Sequence, residues 1–309
     1  MKIFRSGLSA LLLILGAVFW SSGASASDAH STAAAHFPVR VRTPYGLVYI
    51  KSQPRSIVSL SATATEMLYA IGAGSQVKAV DKYSNFPTNA PMTNLDGFSA
   101  SAEAIAKYKP DLVIVSYAPA SFRAQMAKLK IPVIYDPAAP TLAVAYQQYV
   151  GLGKATGHLQ RALNEVKYLK NRIATIVKST PHVAPGTTYY WELDPTYYSV
   201  TSSTFMGQLM SLLGLKSIAD AVGVNSNGGY PQLNSEFILQ ANPTYIFLAD
   251  SKCCQASTQT VAARPGWSTI SAVANNRMLT FDDDIASRWG PRIVNLLQQV
   301  ANFLKSQRS

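Results

Sequence analysis

Short apolar runs alternate with stretches of helical periodicity along most of the chain. "PVRVRTPYGLVYI" (Pro38 to Ile50) alternates on either side of Pro44-Tyr45-Gly46 and predicts a hairpin. A strand is expected at Ile57 to Leu60, followed by a helix in which Thr63 and Glu66 have capping-box spacing and which Gly72 or Gly74 stops. Strand "QVKAVD" (Gln76 to Asp81), helix Glu103 to Tyr108, strand Leu112 to Val115, helix Ser121 to Leu129 and strand "PVIYD" follow. Strands alternating with helices predict a mostly parallel sheet covered on its faces.

The pattern changes at Thr141. One helix runs to about Thr156 and ends near Gly157; then Leu159, Leu163, Val166, Leu169, Ile173 and Ile176 recur at spacings of three and four. This second helix, about 20 residues, would be roughly 30 Å long, enough to bridge two lobes. After Pro181 the alternation resumes with strands "TTYYWEL" and "TYYSV", helix Thr204 to Leu213, strand "TYIFLAD", a helix near Trp267 to Ala274, strand "MLTFD" and a final helix Pro291 to Lys305.

One stretch occurs twice in outline. "SAEAIAKYKPDLVIV" (Ser101 to Val115) and "NSEFILQANPTYIFL" (Asn234 to Leu248) each run from a capping residue through a Glu, two helical turns and a Pro into a β-rich run, and Glu103 and Glu236 are 133 positions apart. Two similarly built halves are expected. The fold class is thus α/β: two α/β lobes with mostly parallel sheets joined by one long rigid helix. The expected organisation is a signal peptide at 1–26, a flexible tail at 27–37, an N-terminal lobe at 38–140, a helical linker at 141–180 and a C-terminal lobe at 181–309.

Composition narrows the function. With 48% apolar and 14% charged residues the chain is globular rather than disordered. Lys2 and Arg5, the apolar run Leu8 to Trp20, and Ala24-Ser25-Ala26 have the order of a secretory signal cleaved after Ala26, an uncleaved anchor being the alternative. No Cys follows that run to carry a lipid, so the mature protein is expected in the periplasm or extracytoplasmic space. The formal charge of +11 is scattered, without a run of four basic residues, and predicts no nucleic-acid binding. The two cysteines, Cys253 and Cys254, are adjacent: either a disulfide between neighbours or two partly buried thiols.

Catalytic signatures are lacking. There is no G-x-S-x-G, H-E-x-x-H or Gly-rich phosphate loop, and His158 and His182 read as solvent-facing. Asp282, Asp283 and Asp284 read as a strand end with an N-cap rather than a cation site. No enzyme activity, cofactor or metal is expected. What the strand ends and loops do carry is aromatic: Tyr83, Phe86, Phe98, Tyr117, Tyr230 and Trp289, a set suited to a large planar ligand held between lobes.

The order "PRSIVSLSATATEMLYAIG", "DKYSNFP", "SAEAIAKYKPDLVIV", "IPVIYD", "TSSTFMGQLMSLLG", "YPQLNSEFILQANPTYIFL", "RPGWSTISAV" and "SRWGPRIV" resembles the periplasmic substrate-binding proteins of ABC importers for vitamin B12, ferric siderophores and haem, over roughly Pro38 to Leu304. The resemblance implies a ligand cleft between two lobes, and docking onto a permease dimer, with its ATPase, through Glu103 and Glu236. It places Tyr83 and Tyr230 at aromatic positions of the B12 binders. "LDGFSAS" departs from their Trp-containing loop, and the Tyr-plus-Arg pattern of haem binders is missing. Tyr83, Phe98, Tyr117, Tyr230, Arg288 and Trp289 are the expected ligand contacts. Lys82, Arg288 and Arg292 are the cations an anionic ferric siderophore would need. The expected ligand is a cobalamin-like corrinoid, with a ferric chelate as the alternative, captured by a monomer. An exported enzyme acting on a large aromatic substrate and a sensor docking a signalling receptor are the rival classes.

Overall fold

The computed structural model describes residues 36–99 and 101–307; the signal segment and most of the tail lie outside the described residues. The chain opens with an antiparallel hairpin, β1 (Val39–Thr43) and β2 (Gly46–Ile50), in register Arg40 opposite Tyr49 and Arg42 opposite Leu47. Then come β3 (Ile57–Leu60), α1 (Ala62–Ala70), β4 (Val77–Val80), α2 (Ala102–Ala106), β5 (Leu112–Val115), α3 (Ala120–Lys128) and β6 (Val133–Tyr135). The last four strands form a parallel sheet in the order β4-β3-β5-β6. β3 and β5 are buried at every position, as uninterrupted apolar runs covered on both faces must be.

Helices α4 (Leu142–Thr156) and α5 (Leu159–Ser179) follow. Gly157 ends α4 at φ +81°, a conformation that favours glycine. The return of the chain brings α5 against α4 so closely that a Cβ at Gly153 would collide with Cβ of Ala162. Ala162, Val166, Leu169, Ile173 and Ile176 form the buried stripe of α5, whereas Leu163, expected in that stripe, is exposed. Each fully buried aliphatic side chain of this kind contributes roughly 1.5–3 kcal/mol before entropy is counted.

The C-terminal lobe contains β7 (Thr188–Glu192), α6 (Phe205–Leu212), β8 (Lys216–Ser217), α7 (Ser235–Ala241), β9 (Tyr245–Leu248), α8 (Ser251–Cys254), α9 (Thr258–Ala262), α10 (Ser271–Ala274), β10 (Met278–Thr280), α11 (Asp283–Ala286) and α12 (Ile293–Ser306). Its parallel sheet runs β8-β7-β9-β10. In each lobe the strands therefore stand in the order second, first, third, fourth, which makes β5 and β9 equivalent and gives α2 and α7 the same place in the chain path.

Three further expectations differ from the structure. "TYYSV" is no strand: Asp194 Oδ1 accepts from the N–H of Thr196 at 2.7 Å, Tyr197 turns to φ +69°, and only an isolated bridge joins Tyr198 to Gln232. The helix expected near Trp267 to Ala274 is split into a 3₁₀ turn, Trp267–Thr269, and α10. The cap of α1 is Ser61, whose side chain accepts from Ala64 N–H at 3.3 Å, so Thr63 and Glu66 form no capping box.

The main core runs through both lobes. It gathers Ile57, Leu112 and Ile134 from one sheet and Tyr189, Trp191 and Phe247 from the other, around apolar residues of α1, α4, α5 and α12. The opposite faces carry smaller cores, one under α2 and α3 with Ile105, Phe122 and Met126, the other under α7 and α9 with Ile238, Val261 and Trp267.

Candidate functional site

The carboxyl ends of the strands in each lobe are where an open parallel sheet offers a ligand site. In the first lobe they carry a row of rings. Phe98 stands between Tyr83 at 6.1 Å and Tyr117 at 6.2 Å, and the three are 64%, 45% and 49% exposed, so together they offer apolar surface to whatever enters. Tyr83 follows β4 and Tyr117 follows β5. A pocket of about 200 Å³ lies beneath Phe98 and Tyr117, floored by Leu60 and Val115, the last residues of β3 and β5.

The row is fixed from below. Buried Asp81 accepts from Ser84 Oγ at 2.7 Å and from Tyr83 N–H at 3.2 Å, while Thr65 joins Ser84 to Ser59 through hydroxyls. Burial raises the Asp81 pKa, and the hydrogen bonds from Ser84 and Tyr83 oppose it. Asp96 accepts from Phe98 N–H at 2.9 Å and pairs with Lys82 at 2.8 Å, whose ammonium also sits 5.0 Å from the Tyr83 ring centre. Gly97 is required here, since a Cβ would stand 2.5 Å from the Asp81 carboxylate.

The second lobe presents Tyr230, 38% exposed, after a tight turn in which Gly228 and Gly229 have positive φ. A Cβ at Gly229 would come within 2.6 Å of the Thr204 methyl, so both backbone conformation and space demand glycine. Burial raises the Tyr230 pKa. The strand ends of this lobe hold acids: Glu192 at the end of β7, fully buried, takes two 2.6 Å bonds from Arg264, and Asp250 beyond β9 has both carboxylate oxygens buried without a hydrogen-bond partner among the described residues. Burial, then the neighbouring Glu192 charge, pushes the Asp250 pKa up to about 7.

Arg288 and Trp289, expected as ligand contacts, are held by side chains of α1 and α4. Arg288 is 8% exposed and donates to Glu66 Oε1 (3.0 Å), Asn85 Oδ1 (2.9 Å), the Tyr83 carbonyl (2.9 Å) and Asp284 Oδ1 (2.7 Å). Arg292 donates twice to the same Glu66 and stacks its guanidinium 4.4 Å from the centre of the Phe86 ring. Trp289 Nε1 donates to Gln148 Oε1 at 2.6 Å and packs on the main core. The physical reason is Glu66: a carboxylate with no exposed surface needs cationic partners, and these are the ones within reach. A Glu as the one charged residue of helix α1 was the sequence signal for this seam, hidden by its match to a capping box.

Cys253 and Cys254 are bonded to each other. The aspartates act as caps: Asp282 accepts from Asp284 N–H at 2.9 Å, and Asp283 takes the N–H groups of Lys252 and Cys253 at the start of α8. Among the described residues no group of three His, Cys, Asp or Glu side chains converges to hold a metal ion. His182 is exposed, but His158 is half-buried, its Nδ1 3.0 Å from the Thr156 carbonyl, and burial lowers its pKa.

Glu103 and Glu236 occupy the first turns of α2 and α7 and are both exposed. Neither belongs to an ion pair among the described residues. Their settings repeat in detail. Ser101 and Asn234 cap the two helices through Ala104 N–H and Phe237 N–H, and left-handed Lys109 and Asn242 turn each chain toward a proline and then into β5 or β9. The dipole of each helix favours the carboxylate at this end.

The comparisons with known proteins agree with this architecture. An uncharacterized ABC transporter substrate-binding lipoprotein of Bacillus subtilis is 27% identical over 313 residues, covering 97% of each chain. A vitamin B12-binding protein of Pectobacterium atrosepticum is 25% identical over 266 residues, covering 81% of this chain and 88% of that protein. A possible iron-binding periplasmic solute-binding protein of Staphylococcus epidermidis superposes with a TM-score of 0.68 at 25% identity, over 82% of this chain and 99% of the other. Residues 57–285, which take in both four-stranded sheets, match the periplasmic binding protein family. The chain, with its two parallel-sheet lobes, thus belongs to the periplasmic binding proteins, a family that binds substrates for transport and is not a family of enzymes.

Proposed function

We propose that the protein captures a cobalamin-like corrinoid between its lobes in the extracytoplasmic space and delivers it to an ABC permease. One observation carries the choice of ligand: the Tyr83-Phe98-Tyr117 row is exposed, while the cations that an anionic ligand would need are already engaged. Lys82 is paired with Asp96, Arg288 with Glu66 and Asp284, Arg292 with Glu66, and Lys252 with Asp282 and Asp284. A flat ligand that carries neutral amides suits such a surface better than an anionic ferric siderophore, which would have to break those pairs. The likeness to a vitamin B12-binding protein supports the same reading. Likeness to a possible iron-binding protein keeps an iron chelate, siderophore or haem, as the second reading.

Glu103 and Glu236 would dock on arginines of the permease, where charge pairing gives register and fast encounter. Lobe closure would be small, because α4, α5 and α12 share one core with both sheets.

Calorimetric titration with cyanocobalamin, a ferric siderophore and haemin tests the reading. One-to-one binding of cyanocobalamin is expected, weakened about 10-fold in Phe98→Ala, since each aromatic contact adds roughly 0.5–1.5 kcal/mol beyond area burial. Heat with an iron chelate and none with cyanocobalamin would move the assignment to iron uptake.

A further inference from the structure

Cys253-Cys254 has no part in the ligand reading as it stands. The pair is joined as a disulfide on α8, the short helix that begins three residues after β9 ends. Two sets of hydrogen bonds place it. Asp283 accepts from Ser251 Oγ (3.0 Å) and from the N–H groups of Lys252 (3.0 Å) and Cys253 (2.8 Å), which fixes the helix from the carboxyl end of β10. Lys252 Nζ reaches Asp284 Oδ2 at 2.9 Å, and Asn85 of the first lobe donates to the same oxygen at 2.9 Å. Asp284 Oδ1 takes Arg288, which in turn holds the Tyr83 carbonyl. One residue from the disulfide, then, a lysine shares a carboxylate with the loop that carries the end of the aromatic row. The two lobes meet at this point, and Cys253, next in the chain to Lys252, is exposed.

We propose that the Cys253-Cys254 disulfide forms part of the ligand-binding wall, opposite the Tyr83 end of the aromatic row, and that its oxidation state sets the affinity for a flat ligand. The inference rests on the proposed function for the kind of ligand. A disulfide places two polarizable sulfurs against a ring in one stiff unit without a hydrogen-bond donor. A dithiol reductant would add two electrons and two protons to the S–S bond, leaving two thiols, and would itself become a disulfide. The two side chains then rotate independently and must be ordered again when ligand binds. Ordering two such groups corresponds to about 10-fold weaker binding.

The test titrates cyanocobalamin into three forms: the oxidised protein, the protein reduced with tris(2-carboxyethyl)phosphine and desalted without air, and Cys253→Ser/Cys254→Ser, with circular dichroism to verify the fold. Kd is expected to rise about 10-fold in the last two, and saturating cyanocobalamin should slow reduction of the oxidised form. Equal Kd values, within about twofold, together with an unchanged reduction rate overturn the inference. If the oxidised protein binds no cyanocobalamin, the corrinoid reading has failed, and the same three forms are titrated with haemin, where equal Kd values again overturn the role of the disulfide.

Discussion

Glu66 is buried between two arginines. Its carboxylate has no exposed surface and receives one bond from Arg288 and two from Arg292, so the three groups stand or fall together. Glu66→Gln leaves the guanidinium groups facing an amide and should cost about 3–5 kcal/mol, the usual penalty for breaking a buried pair by removing one partner. A urea midpoint that implies less than about 1 kcal/mol would show that the seam tolerates the loss. Lys109 presents the opposite case. It has φ +46° where its counterpart in the second lobe, Asn242, has φ +44°. Left-handed backbone costs most residues about 1–2 kcal/mol and Gly nothing, so Lys109→Gly should raise stability by roughly 1 kcal/mol. An unchanged or lower midpoint in urea would count against that strain.

The strand ends place acids in the interior. Asp136, beyond β6, has an oxygen sealed from water without a partner, and burial pushes its pKa up to about 7, as it does for Asp250 beyond β9. Such a carboxyl keeps its proton to higher pH in the folded chain than in the unfolded one. Between about pH 4 and pH 7 the folded state binds more protons, so stability falls as pH rises through that window and stays lower above it. Urea midpoints should therefore be lower at pH 8 than at pH 5, and Asp136→Asn or Asp250→Asn should shrink the difference; an unaltered difference in both variants would exclude these groups as its source. The elements themselves were largely legible, because β3, β5 and β9 are apolar throughout and α5 keeps a regular stripe. Where the reading of "TYYSV" as a strand failed, aromatic and β-branched residues were present but Asp194 offered the backbone a turn instead. The rings of Tyr83, Phe98 and Tyr117 could be named from their places after strands and in loops. The burial of Arg288 could not, since its partner Glu66 is 222 residues away.

At the scale of the molecule, the repeated helix starts bear on the proposed docking to a permease. Reversing both charges, Glu103→Lys with Glu236→Lys, should abolish uptake in cells while cyanocobalamin affinity stays within about twofold, because both side chains are exposed and neither belongs to an ion pair among the described residues. Normal uptake by the double variant would remove these residues from docking. The single core that runs through both sheets has a different consequence. Neither lobe can lose its structure without uncovering apolar surface on the other, so the lobes are not independent folding units in the thermodynamic sense. Heating should take the described chain apart in one cooperative transition, with a heat-capacity step set by both lobes together, and a protease cutting between them should release no fragment that stays folded alone.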